Sequence, residues 1–366
     1  MTRINPNVLQ ALPYQAGKPT SELAREYGLN EARIIKLASN ENPLGMSPRA
    51  KANATLAIET SWMYPDPNGF DLKRTLAERC EVSPKNITLG NGSNDLLELV
   101  ASISLAPGRS SVYSQYAFTV YAQATLRAGG QGIAVPARDY GHDLDAMAAA
   151  VRDDTSVVFI SNPNNPTGTY LEPASIEHFI NAVPSDVLIV LDEAYNEYLP
   201  DTLRYDSVPW VKTYPNLVVM RTFSKAYGLA GLRVGYAISS PEVCDFLNRV
   251  RPAFNVSNVA QAAAIGALED TDFCETTFQM NLAGLAQLEA GFTALSIPYV
   301  KSYGNFILAC FGEAAADVNQ HLLKRGVIVR PVATYGLPQW LRISVGLPEQ
   351  NAALLSHLNE LLKKAQ

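Results

Sequence analysis

Thr222, Ser224, Lys225 and Arg233 fall close together in the run Arg221-Thr-Phe-Ser-Lys-Ala-Tyr-Gly-Leu-Ala-Gly-Leu-Arg233. Hydroxyls donate to phosphate oxygens, and a guanidinium forks onto two of them at once. An amine beside such a site can form a Schiff base with an aldehyde that carries the phosphate. The alternative for this run is a strand followed by a solvated, mildly basic loop, which a lone lysine would favour.

Three further stretches add to the same chemistry. Asp192 follows the apolar run Val187-Leu-Ile-Val-Leu191. A carboxylate at the end of a buried strand needs a cationic partner, and a protonated pyridine nitrogen is one. Tyr195 and Asn165, the latter inside Asn162-Pro-Asn-Asn-Pro-Thr-Gly168, could reach a phenolic oxygen on the same ring. Capping of a following helix is the alternative role for Asp192, and a turn position is that for Asn165. The stretch Ile87-Thr-Leu-Gly-Asn-Gly-Ser93-Asn94 reads as strand, glycine turn and helix start, which leaves free N–H groups for an anion. It is neither a Walker loop nor GxGxxG, and a plain capping turn reads equally well.

The elements that must carry these residues are short apolar strands alternating with helical patterns. Ser111-Val-Tyr113, Gly132–Val135, Thr155–Ser161, Asp186–Leu191, Leu217–Met220 and Val234–Ile238 have this texture, and it indicates a parallel or mostly parallel sheet covered on both faces. From about residue 270 the pattern changes. A long helix over Phe273–Leu295 precedes strands at Ile297–Lys301, Asn305–Cys310, Val327–Arg330 and Leu341–Val345, then a terminal helix from Pro348. The expected division is a large domain over 45–270, with 1–44 and 271–366 forming an N-terminal arm and a small domain.

Composition sets the outer limits. The chain has 366 residues, 47% hydrophobic and 17% charged, which suits a two-domain globular protein. A net charge of −6 argues against nucleic acid as the main partner. The cysteines and histidines lack metal-ligand spacing, so no metal is expected. No run is long and apolar enough to span a membrane, and the N-terminus has no apolar signal core, so a cytoplasmic location is expected.

In order and spacing, Asn162–Gly168, Asp192-Glu-Ala-Tyr195, Thr222-Phe-Ser-Lys225 and Arg233 resemble the fold type I pyridoxal-phosphate aminotransferases over nearly the whole chain. The resemblance implies an α/β fold, with a mostly parallel sheet of about seven strands and a smaller α+β domain. It implies pyridoxal 5′-phosphate as cofactor, held as an aldimine by Lys225, with Asp192 on the pyridinium and Asn165 and Tyr195 on the 3′-oxygen. Ser93, Asn94, Thr222, Ser224 and Arg233 would hold the cofactor phosphate, and Tyr116 would stack on the ring. Tyr64 would reach the cofactor phosphate of a second subunit, which implies a homodimer with shared sites.

Within the family, Leu12-Pro-Tyr14-Gln-Ala-Gly-Lys, Leu37-Ala-Ser-Asn-Glu-Asn42-Pro-Leu-Gly45, Tyr64-Pro-Asp-Pro and Gly326-Val-Ile-Val-Arg330-Pro resemble the branch that acts on histidinol phosphate. That implies ping-pong interconversion of L-histidinol phosphate and 2-oxoglutarate with imidazole acetol phosphate and L-glutamate, a step of histidine biosynthesis. Tyr14, Asn42, Tyr64, Arg330 and Arg342 are then the substrate-binding candidates. Two guanidiniums suit both a phosphate dianion and a dicarboxylate. Gly92-Ser-Asn-Asp95 departs from the branch, many members of which carry an acidic residue where Asn94 stands. With the aromatic run Tyr113–Tyr121, this keeps an aromatic or broad-specificity aminotransferase open, and a threonine-phosphate decarboxylase after it.

Overall fold

A computed structural model describes residues 6–10 and 17–365. Its large sheet has seven strands: β1 (Ile87–Gly90), β2 (Ser110–Ser114), β3 (Gln131–Val135), β4 (Thr155–Ser161), β5 (Leu188–Asp192), β6 (Leu217–Thr222) and β7 (Gly235–Ile238). They lie in the order β1-β7-β6-β5-β4-β2-β3. Only β7 runs antiparallel to its neighbours. The fold is therefore α/β with a mostly parallel sheet.

The continuous apolar runs follow from cover on both faces. Val158, Ile160, Ile189, Leu191, Leu217 and Val219 enter one core, while Val157, Phe159, Val190, Val218 and Met220 enter the other. Alternate residues feed opposite cores, as the two-residue period of a strand requires. Removing one large side chain from such a core, for example Phe159→Ala, costs about 3–5 kcal/mol. The same alternation places Asp192 on the face of Val190, with Tyr121 and Phe159, and turns Glu193 to the opposite side. There Glu193 pairs with Arg221 at 2.9 Å.

A third core gathers the long helix Thr271–Ala294, the helices Ala315–Lys324 and Pro348–Ala365, and an antiparallel sheet. The sheet runs Arg330–Val332, Leu337–Ser344, Phe306–Cys310, Tyr299–Val300. The expected strand over 297–301 is shorter, since only Tyr299–Val300 pairs. The last strand is longer than expected because the turn at Gly336, with φ of 79°, lets the chain start pairing at Leu337. Ile35–Lys36 pairs in parallel with Val327–Ile328, which ties the N-terminal segment to this core before it crosses to the large sheet.

Candidate active site

The C-terminal ends of β4, β5 and β6 deliver Ser161, Asp192 and Thr222 to one cavity, closed from the other side by residues 38–40, Arg330 and Arg342. A cleft beyond the carboxyl ends of parallel strands is where α/β sheets bind ligands. Asp192 is buried. Its Oδ2 accepts a 2.9 Å hydrogen bond from the phenol of Tyr121, and its Oδ1 has no hydrogen-bond partner among the described residues. Burial raises its pKa to about 6, against the opposing pull of the Tyr121 O–H and the Ala194 N–H. A buried carboxylate with one open oxygen is built to receive a cationic donor.

Lys225 enters the cavity from the turn after β6. Its Nζ donates to the Ser39 carbonyl at 3.0 Å. Burial lowers its pKa to about 7, helped by the positive charge of Arg342 and of Arg233. Near neutral pH, much of this amine is therefore unprotonated and nucleophilic.

The anion end is formed at the N-terminus of the helix Ser93–Ser104, whose cap residue Gly92 has no side chain to occupy the free N–H groups. Arg233 Nη1 lies 3.3 Å from Ser224 Oγ and 3.1 Å from the Ala230 carbonyl. The approach is close: a Cβ on Gly92 would stand 2.4 Å from Arg233 Nη2, and the φ of Gly92 is +81°. The positive φ calls for glycine there, and any Cβ would displace the Arg233 guanidinium from its place. Ser93, Asn94, Thr222 and Ser224 line the same end.

At the other end, Arg342 is buried and donates from Nη1 to Asn165 Oδ1 at 2.5 Å and from Nη2 to the Ala38 carbonyl at 2.8 Å. Its Nε has no partner among the described residues. Asn165 thus uses its carbonyl oxygen on Arg342 and keeps its amide N–H groups for another acceptor. Arg330 is buried beside the same space.

Lys225, Asp192, Tyr195, Ser93, Asn94, Asn165, Thr222, Ser224, Arg233, Arg330 and Arg342 all line this one cavity. Three expected residues do not. Tyr116 stacks on Tyr140 with centroids 6.1 Å apart and joins the cluster of Tyr335, Leu337 and Trp340. The turn closed by Ala117 N–H to Ser114 O turns its ring away, and Phe118 lines the cavity instead. Asn42 donates to Ala226 O at 2.8 Å and to Thr277 Oγ1 at 3.0 Å, so it fixes the Lys225 loop rather than facing a ligand. Tyr64 is 82% exposed and stacks on Phe254 at 4.5 Å, outside the cavity. Tyr14 lies outside the described residues.

Sequence reasoning missed Phe118, Tyr121 and Asn40. The first two sit in the aromatic run Tyr113–Tyr121, and the spacing Phe118-x-x-Tyr121 was the available clue. Among the described residues no group of acidic, histidine or cysteine side chains has the arrangement of a metal site.

The chain matches the family model of class I and II aminotransferases over residues 32–358. It is 57% identical over 362 residues to histidinol-phosphate aminotransferase 1 of Cupriavidus pinatubonensis, covering 98% of this chain and 96% of that one. Histidinol-phosphate aminotransferase 2 of Ralstonia nicotianae is 55% identical, covering 100% and 98%. The structure superposes on the crystal structure of histidinol-phosphate aminotransferase from Sinorhizobium meliloti in complex with pyridoxal-5′-phosphate. That match has a TM-score of 0.91 and 29% identity, and covers 100% and 99% of the two chains.

Proposed function

This chain belongs to the class I and II aminotransferases, and on that premise we infer that it transfers the amino group of L-histidinol phosphate to 2-oxoglutarate, in histidine biosynthesis. Its cofactor is pyridoxal 5′-phosphate. The residues present fit that group: an unpartnered carboxylate oxygen on Asp192 for the pyridine nitrogen, a poised amine on Lys225, and the Gly92–Arg233 cradle for the phosphate. Ser93, Asn94, Thr222, Ser224 and Arg233 would hold the phosphate, Asn165 and Tyr195 the ring oxygen, and Phe118 one ring face. When bound, the cofactor supplies a carbonyl carbon for the substrate amine and a ring that withdraws electrons from the bonds around it.

The protein's own groups do the rest. Asp192, ionised against a cation, would keep the ring nitrogen protonated. Lys225 would take the proton from the substrate Cα and hold it for return. Ser39 O gives that amine a resting acceptor. Arg330 and Arg342 would clamp the phosphate of histidinol phosphate in one half-reaction and the α-carboxylate of glutamate, which takes the same place on Cα, in the other. One pair of guanidiniums serving both anions is what a ping-pong cycle demands.

The observation that carries this reading is the meeting of Lys225 and Asp192 with two buried arginines in one cavity. Tyr64 outside its own cavity supports a homodimer with shared sites: Leu56, Ile58, Trp62, Met63, Tyr64, Phe70 and Phe254 expose an apolar surface unusual for a monomer. Small-molecule substrates and a biosynthetic role support a cytoplasmic enzyme; among the described residues no helix is long and apolar enough to cross a membrane. Absorbance titration of the holoenzyme with L-histidinol phosphate, run beside L-phenylalanine, tests the reading. Conversion to the pyridoxamine form by histidinol phosphate at far lower concentration is expected. Equal response to phenylalanine would make the enzyme a broad-specificity aminotransferase, and loss of CO2 without use of a keto acid would make it a decarboxylase.

A further inference from the structure

Asn40 is almost fully buried, 1% exposed, and its backbone sits in the left-handed region at φ 54°. Such a conformation is uncommon outside glycine, and asparagine is among the residues that tolerate it. All its polar groups are occupied. The backbone N–H donates to Ser344 Oγ at 2.8 Å, and the Ser344 hydroxyl donates back to Asn40 Oδ1 at 2.8 Å. The backbone carbonyl accepts from Asn305 Nδ2 at 2.9 Å. The amide Nδ2 donates to the Tyr195 hydroxyl at 3.0 Å.

The hydrogen bonds set a direction at Tyr195. The Ser344 oxygen accepts from the Asn40 backbone N–H, and its single proton lies on Oδ1. With Oδ1 an acceptor, the other end of the amide can only donate, and it faces Tyr195. The Tyr195 oxygen then accepts one bond from the protein, and its own proton finds no acceptor among the described residues. Burial holds the Tyr195 phenol well above its usual range, so that proton stays in place.

We propose that Asn40 is a positioning residue that, set by Ser344, makes Tyr195 a hydrogen-bond donor into the cavity. This rests on the aminotransferase reading, in which Tyr195 meets the anionic ring oxygen of the cofactor. A carboxylate in place of the amide reverses the polarity: it accepts the Tyr195 proton and removes the donor, with almost no change of shape.

The test is a set of pyridoxal-phosphate dissociation constants for wild type, Asn40→Asp and Asn40→Gly, each also in a Tyr195→Phe background. The pH dependence of the bound cofactor's absorbance is followed in parallel. Glycine tolerates the left-handed backbone, so Asn40→Gly removes the amide without strain. Asn40→Asp should weaken binding about tenfold or more, and Asn40→Gly less, with the absorbance transition of the ring oxygen moved to higher pH. In the Tyr195→Phe background both effects should vanish, because a contribution made through Tyr195 cannot outlast its hydroxyl. Wild-type affinity in Asn40→Asp, or a loss undiminished in the Phe background, overturns the proposal. Failure of the wild-type protein to bind the cofactor at all would instead overturn the aminotransferase reading beneath it.

Discussion

The Tyr121 hydroxyl donates to one oxygen of Asp192 at 2.9 Å, and the other oxygen has no partner among the described residues. The phenol therefore fixes the carboxylate plane and selects which oxygen meets the ring nitrogen. Tyr121 is itself held by stacking on Phe159, 4.8 Å between centroids and 5° from parallel. In Tyr121→Phe that stack persists and only the hydrogen bond goes. Cofactor affinity should fall about tenfold, in line with the 1.5–3 kcal/mol of a bond to a charged group. Equilibrium dialysis measures it, and unchanged affinity would remove Tyr121 from this role.

Lys225 carries two expectations. Lys225→Ala should abolish transamination while the protein still binds pyridoxal phosphate non-covalently, as followed by retained fluorescence quenching and lost turnover. Near wild-type turnover would reject the mechanism.

The lowered pKa of Lys225 also predicts a pH dependence for the cofactor-free protein. Folded, the amine titrates at about 7; unfolded, near the ordinary lysine value of 10.5. Between these values the unfolded chain binds the extra proton, so this residue's contribution to stability rises with pH across that window. Below pH 7 the full cost of burying the ammonium is present. Thermal melts of Lys225→Met should lack that part of the slope, and covalent loading of the wild type should quicken as pH rises through about 7.

Gly92→Ala places a methyl against the Arg233 guanidinium at a positive φ. Binding of pyridoxal phosphate should weaken by about tenfold to a hundredfold, or roughly 1.4–2.8 kcal/mol. Binding of pyridoxal, which lacks the phosphate, should be nearly unaffected. An equal loss for both compounds would show that the glycine serves the backbone alone.

Arg342→Lys keeps the charge but loses the fork that spans Asn165 and Ala38. Catalytic efficiency with histidinol phosphate and with glutamate should both fall about a hundredfold, as expected for a disrupted buried charge pair. A loss confined to one substrate would mean that the two half-reactions do not share this arginine.

Much of this could be read before any fold was known. The alternating cores of the large sheet, with Asp192 at one strand end and Lys225 just past another, follow from apolar runs that stop at a polar residue. Tyr116 and Phe118 could not be told apart, because they lie two residues apart on a turn whose direction depends on the Ser114–Ala117 hydrogen bond and on Asn164 gripping the Tyr116 carbonyl. Asn40 and Asn42 share one short segment, and only partners far along the chain separate them: Tyr195 and Ser344 for the first, Ala226 and Thr277 for the second. Local pattern carries no information about such contacts.

The crossing of residues 38–42 between the third core and the large sheet has a bearing on how the molecule is made. Asn40 leaves the ribosome long before its partner Ser344, which is 304 residues further along. The pocket thus cannot close before the strand Leu337–Ser344 has emerged, however soon the large sheet forms. A nascent chain carries an unfinished site until then, and cofactor capture becomes a report that synthesis has passed Ser344.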